Sequence, residues 1–305
     1  MRIGRLGVAG KRRYGSWVLA AVLFVVCFTV TMILCFGGVF DPIIKSAFQQ
    51  SAVPTVADAG KAGLSQGAEQ LEQSALATGV DYKPQRVLLI GASSIQHDLG
   101  RELEKRLLQY ANLEVERFGK HSSGLSRPDY FNWNAEISDL KQELAPDLII
   151  AQWGENDCQV LTTPEGAQVA KWSDDWWPGE YGSRVAQAVE LMREESAHAV
   201  VLGVPIVKPV SFRQRVQLLN EVTERATTAA GGIFISTWQM TADESGKPLE
   251  RVEYSDANRK VHTPDGIHLT AHGAAYVADA ICRQLERIFD LEQAVEPNPC
   301  SAQGL

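Results

Sequence analysis

The sequence lacks any excess of positive charge. It holds 29 Lys and Arg against 37 Asp and Glu, a formal net charge of −8. Five of the basic residues (Arg2, Arg5, Lys11, Arg12 and Arg13) lie in the first forty positions, where there is no acid. The rest of the chain is therefore more acidic than the average suggests. Nucleic-acid backbones are bound through Lys and Arg, so no nucleic-acid partner is expected. Cysteine is scarce too. Cys27, Cys35, Cys158, Cys282 and Cys300 show no C-x-x-C spacing, which excludes a cystine-stapled scaffold and the usual structural zinc site. No repeat of 20–50 residues appears, which excludes a solenoid. Gly91 and Gly100 form no phosphate-binding loop, so no nucleotide cofactor is expected. His268 and His272 stand four apart, but the order H-L-T-A-H lacks the Glu of a metalloprotease helix. No metal and no other cofactor is expected. With 45% hydrophobic and 22% charged residues, the composition is that of a globular chain and not of a disordered, collagenous or polytopic membrane protein.

One long hydrophobic run is present. Trp17 to Phe36 is uncharged, and the uncharged stretch extends from Tyr14 to Phe40. Twenty helical residues span ~30 Å, the thickness of a bilayer core. The basic flank before it predicts a cytoplasmic N-terminus. The run is longer than a secretory signal core, and no A-x-A-like cleavage site stands before Phe40. The expected organisation is a basic cytoplasmic segment (1–15), a transmembrane signal anchor (16–40), an extracytoplasmic linker (41–84), a folded domain (85–290) and a loose tail (291–305). In a bacterium this places the body outside the inner membrane, in the periplasm or beyond. The linker is rich in Ala, Gly, Ser and Gln and buries too little surface to order itself.

From Arg86 the pattern changes. RVLLIG, LEVERFG, DLIIAQWG, AVVLGVP and GIFIST read as strands. Between and after them, apolar residues recur at helical spacing: Leu99, Leu103 and Leu107; Val185, Val189 and Met192; then Ala274, Val277, Ala278, Ile281, Leu285 and Ile288. Strands alternating with helices predict an α/β domain, a three-layer fold whose central parallel sheet has about five strands. Ligands in such folds sit beyond the carboxyl ends of the strands.

Four short stretches fall on that rim. Gly91-Ala92-Ser93-Ser94 follows the first strand, where a serine is either a nucleophile or a helix cap. Ser122-Ser123-Gly124 follows the second; the Gly124 N–H is a candidate oxyanion donor, or the glycine merely serves a loop. Gly154-Glu155-Asn156-Asp157 follows the third. The Asn156 amide is a second candidate donor, Asp157 a candidate brace, and the four together also suit a plain turn. Asp265-Gly266-Ile267-His268 precedes the last helix. There His268 is a candidate base and Asp265 its orienting carboxylate, against an ordinary turn with a partly buried histidine.

In the order Ser, Gly, Asn, Asp-x-x-His, the chain resembles the GDSL-like, or SGNH, hydrolase superfamily over about Arg86 to Phe289. SSGLSRPDYFNW, GEND and DGIHLTAHG bring it nearest to membrane-anchored bacterial envelope members. The resemblance implies a flavodoxin-like fold and a serine esterase. It implies Ser93 as nucleophile, the N–H groups of Ser93 and Gly124 with the Asn156 side chain as oxyanion hole, and Asp265 and His268 as the acid–base pair. One departure is Ala92, where the family often has Asp. The expected substrate is an O-acylated, chiefly O-acetylated, envelope carbohydrate or lipid. Trp172, Trp176 and Trp177 are candidate sugar-stacking residues, or packing residues at the sheet edge. Two alternatives stand beside hydrolysis. One is acyl transfer to a polysaccharide with a membrane acyltransferase as partner; the other is an inactive glycan-binding or assembly protein. His97 and His121, near the first two blocks, read as surface polar residues or as walls of the cleft, His272 as structural, and Cys158 as a packed thiol.

Overall fold

The side chains of Val87–Gly91 and of Leu148–Gln152 are buried without a break. That is the signature of parallel strands covered on both faces. In the computed structural model, which describes residues 82–292, these strands are β1 (Arg86–Gly91) and β3 (Leu148–Gln152). With β2 (Glu114–Gly119), β6 (His198–Leu202) and β7 (Ile233–Ile235) they form one sheet in the order β2-β1-β3-β6-β7, parallel throughout. The five expected strands are all present, and the order is the flavodoxin-like one. The edge strand β2 alternates exposed and half-buried positions where the central strands do not.

Two apolar layers cover the sheet. On one face Leu88, Ile90 and Ile149 pack under α3 (Trp133–Leu144), α4 (Trp177–Arg193) and α5 (Val210–Ala229). On the other, Val87, Leu89 and Ile150 pack under α2 (Asp98–Leu107) and α6 (Ala271–Ile288), which bring Leu99, Leu103, Leu107, Val277, Ile281 and Leu285. The α6 stripe is buried as its spacing predicts, apart from Ile288, which is half-buried. The short α1 (Ser93–Gln96) follows β1 directly. Two hairpins lie outside the sheet: β4 (Leu161–Thr162) with β5 (Gln168–Ala170), and β8 (Arg251–Tyr254) with β9 (Ala257–Lys260).

Strand order reverses between β1 and β3, because the chain leaves β1 for β2 on one side and returns to β3 on the other. The loops after β1 and β3 therefore diverge around a crevice, the position where such sheets bind ligands. Among the described residues no helix is long and apolar enough to cross a membrane. The expected cytoplasmic segment and anchor, the linker up to residue 81 and the tail beyond residue 292 lie outside the described residues.

The aromatic cluster beneath α4 belongs to the core. Trp177 is fully buried, stacks on Tyr181 at a centroid distance of 4.9 Å and donates its indole N–H to the Gln159 carbonyl at 2.7 Å. Trp176, one residue earlier, is 54% exposed. Trp177→Ala is expected to cost about 3–5 kcal/mol in urea unfolding, and Trp176→Ala no more than about 0.5 kcal/mol. Equal losses would contradict this placement.

Candidate active site

At the end of β1 the chain makes a tight passage. Gly91 has φ +156°, and a Cβ there would lie 2.2 Å from the Gln152 carbonyl oxygen. The Ala92 N–H donates to that carbonyl at 3.1 Å, and the Lys120 N–H donates to the Gly91 carbonyl at 2.9 Å. These bonds stitch the carboxyl ends of β1, β2 and β3 together. Ser93 begins α1, but the cap position falls on Ala92 and carries no side-chain bond. Ser93 is 3% exposed as a residue, and its hydroxyl instead meets His268 Nε2 at 3.2 Å.

His268 Nδ1 lies 2.8 Å from Asp265 Oδ2. The other oxygen, Oδ1, accepts from Thr263 Oγ1 at 2.6 Å and from the N–H groups of Ile267 and His268 at 2.8 and 3.1 Å. Burial would push this carboxyl up, but the bonds from His268, Thr263 and the two amides hold it well below the ordinary carboxylate range. An ionised Asp265 only accepts, so the Nδ1 proton is given to it and a neutral His268 presents Nε2 as an acceptor to Ser93. The side chains of His268 and Asp265 are nearly half exposed, at 43% and 46%.

Gly124 and Asn156 come together in the loops that follow β2 and β3. Asn156 Nδ2 donates one hydrogen to the Ser123 carbonyl at 3.0 Å, and its second hydrogen is left for a ligand. Asp157 is completely buried and acts as the brace. It accepts from the Ser126 N–H at 2.8 Å and from Tyr181 Oη at 3.0 Å. Burial raises its carboxyl pKa despite these donors. A Cβ on Gly124 would stand 2.1 Å from Asp157 Oδ1, so only glycine fits there without displacing the brace. Arg184 fastens the same loop, donating to the carbonyls of Leu125, Ser126 and Thr162. Trp133 Nε1 donates to Ser123 Oγ at 3.1 Å.

Ser94 is committed elsewhere, donating to Glu155 Oε1 at 2.7 Å. A cavity of about 210 Å³ opens on Ser93, Ser94 and His268, with His97, His121 and Leu269 among its walls. His97 and His121 are exposed and also line the cavity, so both readings of them hold, and their ring centroids are 5.8 Å apart. His272 is held by the Val252 carbonyl at 3.1 Å. Cys158 is buried, and burial beside Asp157 pushes its thiol up to about 12, which makes it unfit as a nucleophile. Among the described residues no group of three or more candidate metal ligands gathers.

The tryptophans separate. Trp177 is corrected from a sugar-stacking candidate to a packing residue, since both its ring faces are buried. Trp172 is half-buried against Trp177 at 4.3 Å, with the Arg215 guanidinium 5.8 Å above its ring. Only Trp176 is widely exposed. Sequence reasoning missed Thr263, Tyr181, Arg184 and the Ser94–Glu155 bond. Of these only Thr263 left a signal, a hydroxyl two residues before a turn aspartate.

Residues 86–284 match the model of a protein family of unknown function, DUF459. The chain belongs to this family. No curated protein matches it. Among solved structures it is similar to a lipase/acylhydrolase from Enterococcus faecalis, at 14% identity over 70% of this chain and 100% of that one, with a TM-score of 0.47. It is also similar to a GDSL-like lipase from Bacteroides thetaiotaomicron, at 17% identity over 72% and 97% with a TM-score of 0.46. A third is a member of the lipolytic protein G-D-S-L family from Veillonella parvula, at 13% identity over 66% and 98% with a TM-score of 0.48.

The depressed Asp265 carboxyl sets a sign for stability against pH. Its folded pKa lies below the unfolded value of ~3.9. The stabilisation it contributes is therefore present above about pH 4 and fades as pH falls through the folded value. The melting-temperature gap between wild type and Asp265→Asn is expected to hold near neutrality and to narrow below about pH 4. A gap that widens on acidification would contradict the assignment.

Proposed function

We propose that the chain is a serine esterase of the SGNH type. The observation that carries this reading is the chain of contacts from Asp265 through His268 to Ser93, at 2.8 and 3.2 Å. In the first step His268 Nε2 takes the Ser93 proton as Oγ attacks an ester carbonyl. The charge that develops on the carbonyl oxygen is met by the N–H groups of Ser93 and Gly124 and by the free hydrogen of Asn156. His268 returns the proton to the departing alcohol. Water, activated by the same imidazole, then releases the acid from the acyl-enzyme. Asp265 stays ionised and stabilises the imidazolium that forms in each half.

The buried nucleophile and the solvent-facing base support an ester approaching from the open side of the cavity. The proposed substrates are O-acyl groups, chiefly acetyl, on carbohydrate or lipid of the cell envelope. That choice rests on the expected anchor at residues 16–40, which would hold the body outside the inner membrane. Trp176 and the partly open Trp172 remain candidate contacts for sugar.

The test is intact-mass spectrometry after treatment with a fluorophosphonate. The expected result is a single adduct on the wild type, kept in Ser94→Ala and lost in Ser93→Ala. An adduct lost in Ser94→Ala and kept in Ser93→Ala would overturn the assignment, and no adduct on any of the three would favour a binding protein. Asn156→Ala is expected to lower kcat roughly 10²–10³-fold, the usual loss for one oxyanion donor. An unchanged kcat would remove Asn156 from the site.

A further inference from the structure

We infer that Glu155 is a positioning residue for this reaction, acting through Ser94 to fix the nucleophile turn against the turn that carries Asn156. The inference rests on the esterase reading and adds to it a group outside the Ser–His–Asp set and the oxyanion donors.

Ser94 directly follows the nucleophile, and Glu155 directly precedes the oxyanion amide. Their 2.7 Å bond is a side-chain link between the two turns, across 61 residues of chain. The backbone tie between them is the Ala92 N–H donating to the Gln152 carbonyl, which lies upstream of both functional groups. Beyond that tie the nucleophile turn is held from the β2 side, by the Lys120 N–H on the Gly91 carbonyl and by Arg117 donating to the carbonyls of Ile95 and Gln96; none of these contacts reaches the turn that carries Asn156. Helix α1 is four residues long, and its cap residues, Ala92 and His97, supply no side-chain bond. A helix this short gains little from its own hydrogen bonds. Glu155 supplies a restraint from the neighbouring strand loop.

The carboxylate carries a cost in this position. Its second oxygen, Oε2, is buried and has no hydrogen-bond partner among the described residues. Burying a polar atom unpaired is unfavourable, and a surface contact chosen for stability alone would not require it. The arrangement suits a link whose value lies in where it holds Ser94. Because Ser94 gives its only proton to Glu155, its hydroxyl is also turned away from competing with Ser93 for His268.

The test uses the full-length chain in detergent with p-nitrophenyl acetate as the probe. Glu155→Ala and Ser94→Ala are each expected to lower kcat by roughly 10- to 100-fold, the scale of a ~1 Å misplacement of a reacting group. KM should stay within about threefold, and the double variant should be no worse than either single one, since both break the same link. Glu155→Gln keeps an oxygen for Ser94 and should recover kcat to within about threefold of wild type. If Glu155→Ala does not fold, Ser94→Ala breaks the same link without touching the buried carboxylate. Wild-type turnover that survives Ser93→Ala would overturn the esterase reading and this inference with it. Ser93-dependent turnover that is indifferent to Glu155→Ala and Ser94→Ala, additive losses in the double variant, or no rescue by Glu155→Gln would overturn the positioning role alone.

Discussion

The contact between Ser93 and His268 joins residues 175 positions apart, and the proposed chemistry needs everything else to keep it in place. A hydroxyl alone is a poor nucleophile, and an imidazole on an open surface has no reason to face one. The sheet solves the first half of the problem. β1 sits between β2 and β3, so the turn that carries Ser93 is flanked by the turns that carry Gly124 and Asn156. Asp265 solves the second half. One of its oxygens holds the imidazole while the other is saturated by Thr263 and two backbone amides.

Burial is distributed unevenly across the site, and the distribution has chemical sense. Ser93 is nearly inaccessible, whereas Asp265 and His268 lie close to half exposed. In the proposed reaction the ester comes to the serine through the cavity, while the base keeps contact with the water that the second step uses. The loop bearing Gly124 is fastened from beneath by Asp157 and Arg184, whose hydrogen bonds are directed at its backbone. Donors fixed before the substrate arrives need no reorganisation as charge develops, which is where such sites gain most.

Much of the fold was legible because parallel strands buried on both faces leave continuous apolar runs. RVLLIG and LIIAQ have few other interpretations once helices alternate with them. The α6 stripe was legible for the same reason, as six apolar positions on one face. The β8–β9 hairpin was not. Its two-residue turn is Ser255-Asp256, both at positive φ, where Asn-Gly is the usual sequence sign of that geometry. Helix α3 was not read from the sequence; it begins at Trp133, where the SSGLSRPDYFNW motif ends. It is capped by Asn132, which accepts from the Ala135 N–H.

Ser93, Asp265 and His268, which the structure joins by hydrogen bonds, were candidates in the sequence, as were Gly124 and Asn156, because each follows a strand or enters the last helix. Trp177 could not be separated from Trp176, since an indole that stacks on a sugar and one that stacks on Tyr181 look alike in sequence. Nor could Glu155 be singled out, because its partner lies on another strand loop and no spacing rule connects them. The central claim, that an oxyanion is received by three donors from three separate loops, is tested most directly by a crystal structure of the chain after phosphonylation. The account predicts phosphorus on Ser93 Oγ, with one phosphonyl oxygen within hydrogen-bonding distance of the N–H groups of Ser93 and Gly124 and of Asn156 Nδ2. Phosphorus on Ser94, or a phosphonyl oxygen turned away from Gly124 and Asn156, would contradict it.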